Sequence, residues 1–83
     1  MYALVTGGSR GIGRAICVKL AQLGYKVIVN YVSNDEEARK TLELIKENGS
    51  EGELLKFDVA DNNATVSAIE SWQEAHKGEY IQL

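Results

Sequence analysis

A glycine-rich turn between two segments of different apolar period constrains this chain more than any other feature. Tyr2-Ala3-Leu4-Val5 is a continuous apolar run, and Thr6-Gly7-Gly8-Ser9-Arg10-Gly11-Ile12-Gly13 follows it at once. Such a run, closed by glycines, reads as a strand buried on both faces. From Ile12 to Leu23 the period becomes helical: Ile12, Ala15, Ile16, Leu20 and Leu23 share one face, with Arg14 and Lys19 away from it. Gly24 stands where a helix C-terminal glycine belongs. Strand, glycine turn and helix in this order form a geometry suited to a pyrophosphate. Gly7 lets the chain leave the strand sharply, Gly11 omits the Cβ that would hold a phosphate off, and Gly13 lets the helix close on the strand. Amide groups at the helix start then face the anion, aided by the helix dipole. Gly7, Gly8, Ser9, Arg10, Gly11, Ile12 and Gly13 are therefore the first candidate binding residues.

The period keeps switching along the chain. Val27-Ile28-Val29 predicts a second strand ending at Asn30-Tyr31. Ser33 and Asn34 are candidate N-caps for a second helix, whose first turn carries Asp35, Glu36 and Glu37. Ala38, Leu42 and Ile45 form its apolar stripe, Glu36 and Lys40 make a favourable surface pair, and Asn48-Gly49 ends it. Glu53 to Phe57 reads as a third strand, followed by Asp58-Val59. A third helix follows Asp61 or Asn62, with Val66, Ile69 and Trp72 on one face and Gly78 near its end. Tyr80 to Leu83 predicts the beginning of a fourth strand. The resulting β-α-β-α-β-α-β order with short connections implies an α/β fold, a Rossmann-type doubly wound parallel sheet of strand order 3-2-1-4. Two crossover helices should then cover one face of the sheet and the third helix the other.

Composition closes off several alternatives. With 83 residues there is room for one small domain, and a single cysteine, Cys17, excludes a disulfide framework or a cysteine-rich zinc site. No metal site is expected. A net charge of −3 argues against nucleic acid and anionic membrane surfaces as partners. No run approaches the roughly 20 apolar residues of a membrane span. The N-terminal residues lack a basic start and a long apolar stretch, so a signal peptide is not expected and a cytoplasmic location is.

The spacing Gly7-x-x-x-Gly11-x-Gly13 after Thr6 resembles that of the short-chain dehydrogenase/reductase family. The string ALVTGGSRGIGRAI is especially similar to the bacterial 3-oxoacyl-acyl-carrier-protein reductases. The resemblance continues through Lys26–Tyr31 and Phe57-Asp58-Val59 to the fourth strand, so residues 1–83 are expected to be the N-terminal part of one coenzyme-binding domain. It implies an oxidoreductase whose parent protein reduces a 3-oxoacyl group, carried by acyl carrier protein, to the 3-hydroxyacyl form. The pair Asp58 and Val59 resembles the family's adenine contacts, while a plainer role for Asp58 is to cap the next turn.

Coenzyme choice follows from charge. A free ribose is usually read by an acid ending the second strand, and that acid would repel a 2′-phosphate. Here the strand ends Asn30-Tyr31-Val32-Ser33, with no acid until Asp35, and Tyr31 takes the position where NAD-preferring relatives carry Asp. Arg10 lies where the family's NADP enzymes often place a base. The expected coenzyme is NADP(H), ahead of NAD(H).

The resemblance implies catalysis by a Tyr-x-x-x-Lys pair with a Ser and an Asn, and none of these is expected within this chain. Tyr2, Tyr25 and Tyr31 are followed four residues later by Thr6, Val29 and Asp35. Asn62-Asn63-Ala64-Thr65 lacks the glycine of the family's Asn-Asn-Ala-Gly motif, which is expected just past Leu83. Cys17 reads as a small packed side chain, His76 as a surface residue compatible with a helix C-terminus, and Trp72 as core or interface packing. The chain alone is expected to be inactive, and its exposed sheet edge implies self-association. The alternative is a non-catalytic dinucleotide-binding or self-associating module.

Overall fold

The computed structural model describes residues 2–8 and 11–76 and the backbone of 81–82. β1 (Tyr2–Val5), β2 (Lys26–Tyr31), β3 (Gly52–Lys56) and β4 (Ile81–Gln82) alternate with α1 (Gly11–Gln22), α2 (Asp35–Glu47) and α3 (Asn62–Ala75). The strands form one parallel sheet in the order β3-β2-β1-β4. The path moves outward from β1 to β3 and returns past β1 to β4. A constant crossover hand therefore sends α3 to the opposite face from α1 and α2. Apolar strands with alternating side chains supply a core on each face. Val5, Val27 and Val29 meet Cys17, Ala21 and Ile45 from α1 and α2. Tyr2, Leu4 and Ile28 meet Trp72 from α3.

Capping follows the expected chemistry. The Asn34 side chain accepts from the Glu37 amide and Asp61 from the Ala64 amide, each satisfying an otherwise orphan donor. Lys40 pairs with Glu37 at 3.5 Å, where the spacing predicts Glu36. β3 begins one residue earlier than expected, and α3 ends at Ala75 with His76 as its C-cap. Gly78, Tyr80 and Leu83 lie outside the described residues.

Helix α1 departs most from its reading. Its buried residues are Cys17 and Ala21, while Ile12 and Leu23 are 82% and 62% exposed. Gly13, Cys17 and Ala21 recur every four residues, and small side chains along that stripe let the helix approach the sheet closely. A Cβ built on Gly13 would sit 2.0 Å from the Gly7 carbonyl oxygen. Apolar bulk alone points to the Ile12–Ala15–Ile16–Leu20–Leu23 stripe, but close approach selects the small one: Leu20 still packs partly against the core, while Ile12, Ile16 and Leu23 are turned outward. Arg14, expected to face away, instead reaches α2. Its Nε donates to Thr41 Oγ1 at 2.9 Å, and its Nη2 donates to the Glu37 carbonyl at 2.9 Å and to Glu37 Oε2 at 2.6 Å.

His76 also departs from its reading, being half-buried rather than a surface residue. Its ring stacks on Trp72 at 4.1 Å with an interplanar angle of 5°. Nδ1 lies 2.8 Å from the Trp72 carbonyl and Nε2 lies 3.1 Å from Glu53 Oε2. Trp72 donates its indole N–H to the same Glu53 oxygen at 3.1 Å. Cys17 is a packed side chain, as expected, and burial pushes its thiol up to about 11, which leaves it inert as a nucleophile at neutral pH.

Candidate functional site

The first candidate segment leaves β1 at its C-terminal end and enters α1. Gly7 has φ +66°, a conformation that L side chains rarely adopt, so the sharp exit from the strand calls for glycine. The contact between Gly13 and Gly7 then closes the turn on the first turn of α1. That first turn carries no acidic residue, whereas the first turn of α2 carries Asp35, Glu36 and Glu37. The first turn of α3 also lacks an acid, but Asp61 caps it, so among the described residues α1 is the helix start whose dipole remains available to an outside anion. The space beside Gly11 is open, with nothing within 4 Å of a Cβ placed there. These residues fit a phosphate group. Ile12 points outward at the start of the helix, and Ser9 and Arg10 lie outside the described residues.

Asn30 is the residue that sequence reading missed. It is 2% exposed at the end of β2, and its polar groups are spent on neighbouring backbone. Oδ1 accepts from the Gly7 amide at 3.3 Å, while Nδ2 donates to the carbonyls of Phe57 at 2.9 Å and Leu55 at 3.3 Å. Its own carbonyl accepts from the Gly8 amide at 3.0 Å. One amide side chain thus ties the glycine turn to β2 and to the loop after β3. The available signal was a lone Asn inside an apolar strand, since a buried side chain with both donor and acceptor must find partners.

Tyr31, next in β2, is buried and lies opposite Lys56 in the β2–β3 register. Lys56 Nζ sits 6.0 Å above its ring. Burial, with the Asp35 carboxylate close by, raises the phenol above its ordinary range. The Tyr31 hydroxyl and Lys56 hold Asp35 below the usual carboxylate range.

Asp58 and Val59 follow β3 on the same edge and are exposed. Asp58 Oδ1 accepts from the Ala60 amide at 2.9 Å, so the turn-capping role is real and engages one carboxylate oxygen. Val59 is 47% exposed, an apolar side chain displayed at the mouth of the edge. The fold thus brings the glycine turn, Tyr31 and Asp58-Val59 to the C-terminal ends of β1, β2 and β3, the edge where open α/β sheets bind ligands. Among the described residues no group of His, Cys, Asp and Glu could hold a metal ion. No described helix is long and apolar enough to cross a membrane.

Comparison with known proteins identifies the family. Residues 1–80 match the family model described as short chain dehydrogenase. The chain is 51% identical over 67 residues to versicolorin reductase 1 of Aspergillus parasiticus, covering 81% of this chain and 26% of that protein. It is 45% identical over 67 residues to the 3-oxoacyl-[acyl-carrier-protein] reductase FabG of Staphylococcus aureus, covering 81% of this chain and 27% of that protein. Among solved structures it resembles a metagenomic short-chain oxidoreductase crystallised in complex with NADP, with a TM-score of 0.83 and 34% identity. That match covers 92% of this chain and 34% of the other. The chain therefore spans about a quarter of the length of these curated relatives.

Proposed function

The chain belongs to the short-chain dehydrogenase family, and we propose that it forms the coenzyme half-site of an NADP(H)-dependent carbonyl reductase. The observation that carries this reading is the closed glycine turn. Gly13 lies so near Gly7 that no side chain fits between them, which aims the acid-free start of α1 at the strand ends. In this reading Gly7, Gly8, Ser9, Arg10, Gly11, Ile12 and Gly13 surround the pyrophosphate, with Arg10 placed to meet a 2′-phosphate. Tyr31 closes the ribose end without presenting a carboxylate. Asp58 accepts from the adenine amino group through the oxygen that its turn leaves over, and Val59 packs on the ring. When bound, the coenzyme supplies a hydride for the substrate carbonyl; proton donation belongs to residues outside this chain.

The substrate class we favour for the whole protein is a 3-oxoacyl thioester carried by acyl carrier protein. The similarity to FabG supports it, although versicolorin reductase 1 is at least as similar in sequence. Assay of the whole protein with NADPH on a 3-oxoacyl thioester and on versicolorin decides between these classes.

Amide chemical-shift mapping tests the half-site on this chain. NADPH is expected to shift Gly7, Gly8, Gly11, Gly13, Asp58 and Val59, binding weakly but more tightly than NADH. Arg10→Ala should remove that preference. Equal binding of the two coenzymes, or shifts confined to other parts of the sheet, would overturn the reading.

A further inference from the structure

The reading above leaves one acid near the ribose end unexplained. Asp35 is the first acid after β2 and the first residue of α2. A bare carboxylate there would accept from a ribose hydroxyl and repel a 2′-phosphate, opposing the coenzyme choice proposed above. The structure shows what occupies it. Lys56 Nζ lies 3.3 Å from Asp35 Oδ1, an oxygen shielded from solvent and otherwise without a hydrogen-bond partner, so the ion pair is what meets it.

This grouping follows from the sheet. The β2–β3 register sets Lys56 opposite Tyr31, and α2 begins four residues after Tyr31. Strand pairing therefore delivers the cation to the acid, and Arg39, one turn further along α2, adds a second positive charge acting on both Asp35 and Tyr31.

We propose that Lys56 is a positioning residue for coenzyme choice: it holds Asp35 in an ion pair, so that the ribose end neither reads a free 2′-hydroxyl nor repels a 2′-phosphate. The inference rests on the half-site reading above. Lys56 acts through Asp35, and the choice between NADP(H) and NAD(H) belongs to the Tyr31–Asp35–Lys56 group together with the glycine turn.

The test titrates this chain with adenosine 2′,5′-bisphosphate and with 5′-AMP, following backbone amides. The wild type should bind the bisphosphate more tightly. Lys56→Gln should cut that preference about threefold, the scale of an exposed ion pair. Lys56→Arg should retain it, and adding Asp35→Asn to Lys56→Gln should restore it.

A preference unchanged in Lys56→Gln overturns the inference and leaves the half-site reading standing. A preference that Asp35→Asn fails to restore also overturns it, because Lys56 would then act on the phosphate directly. If neither nucleotide moves the glycine-turn amides of the wild type, the half-site reading itself falls, and the inference with it. Lys56 is exposed, so the variants should keep the wild-type amide dispersion, which the same spectra verify.

Discussion

On one face of the sheet, α1 and α2 lie against Val5, Val27 and Val29 and are tied to each other through Arg14. On the other face, α3 rests on Tyr2, Leu4 and Ile28 by way of Trp72, its buried side chain. The first face is built from small side chains and backbone approach, with polar groups fixed at both ends. The second is built around one large aromatic, whose edge meets the Tyr2 ring at 4.8 Å and whose indole N–H reaches Glu53. The difference matches what each face positions. The glycine turn leads from β1 into α1, and Gly13 meets the Gly7 backbone there, so the α1 face needs close approach. The α3 face contributes burial, and an aromatic anchor tolerates small shifts. Stability and site geometry should therefore separate experimentally.

Trp72→Ala should break the α3 face with the largest effect, a loss of about 3–5 kcal/mol. Small domains have roughly 5 kcal/mol in total, so the variant should be largely unfolded in a urea titration that the wild type survives. A loss below about 1 kcal/mol would mean that α3 is held by something other than Trp72. Gly13→Ala should do the reverse. The added methyl meets backbone rather than a flexible side chain, costing about 1–3 kcal/mol, and the folded fraction should bind NADPH far less tightly. Wild-type affinity in that variant would remove the link between close approach and the site.

Asn30→Asp should fall next, at about 2 kcal/mol. Aspartate keeps an acceptor for the Gly7 amide but has no N–H for the Leu55 and Phe57 carbonyls. Thermal melts should show the loss, and amide shifts should spread from Gly7 to Phe57. Shifts confined to β2 would argue that the turn is held without Asn30.

The smallest effect is an acid-dependent one. Glu37 is held below its ordinary carboxylate value, first by the Arg14 hydrogen bond and then by Lys40 and Arg14 charge. A depressed folded value means that its contribution is present at neutral pH. That contribution declines as pH falls below the unfolded value near 4.5, and is gone once the folded carboxyl is protonated. Glu37→Gln should flatten this part of the stability–pH curve, measured by melts from pH 7 to 3. An unchanged acid limb would show that the Arg14 link between α1 and α2 does not depend on charge.

Much of the fold is legible in the residues themselves. The apolar runs of β1 and β2, the N-caps Asn34 and Asp61, and the glycines at 7, 11 and 13 each carry a local signal, because strand period, capping and backbone conformation are short-range properties. The partners of Arg14, Asn30 and His76 were not legible. Most lie across the sheet or on a neighbouring helix, at separations that periodicity does not report, although the Trp72 partner of His76 is only four residues back on α3. The turn-capping role of Asp58 was legible, and the turn it caps is now visible.

The amino-acid sequence by itself determined the element order, the family and the location of the glycine-rich turn, since each depends on residues close together in the chain. Tertiary structure alone decided which side of α1 is buried, what holds the turn to β2, and how Asp35 is neutralised. Those three depend on how near two elements can come and which polar groups then meet. Close approach of α1 to the strand sets Gly13 against Gly7, and the parallel β2–β3 register brings Asn30 to the Leu55 and Phe57 carbonyls and Lys56 to Asp35.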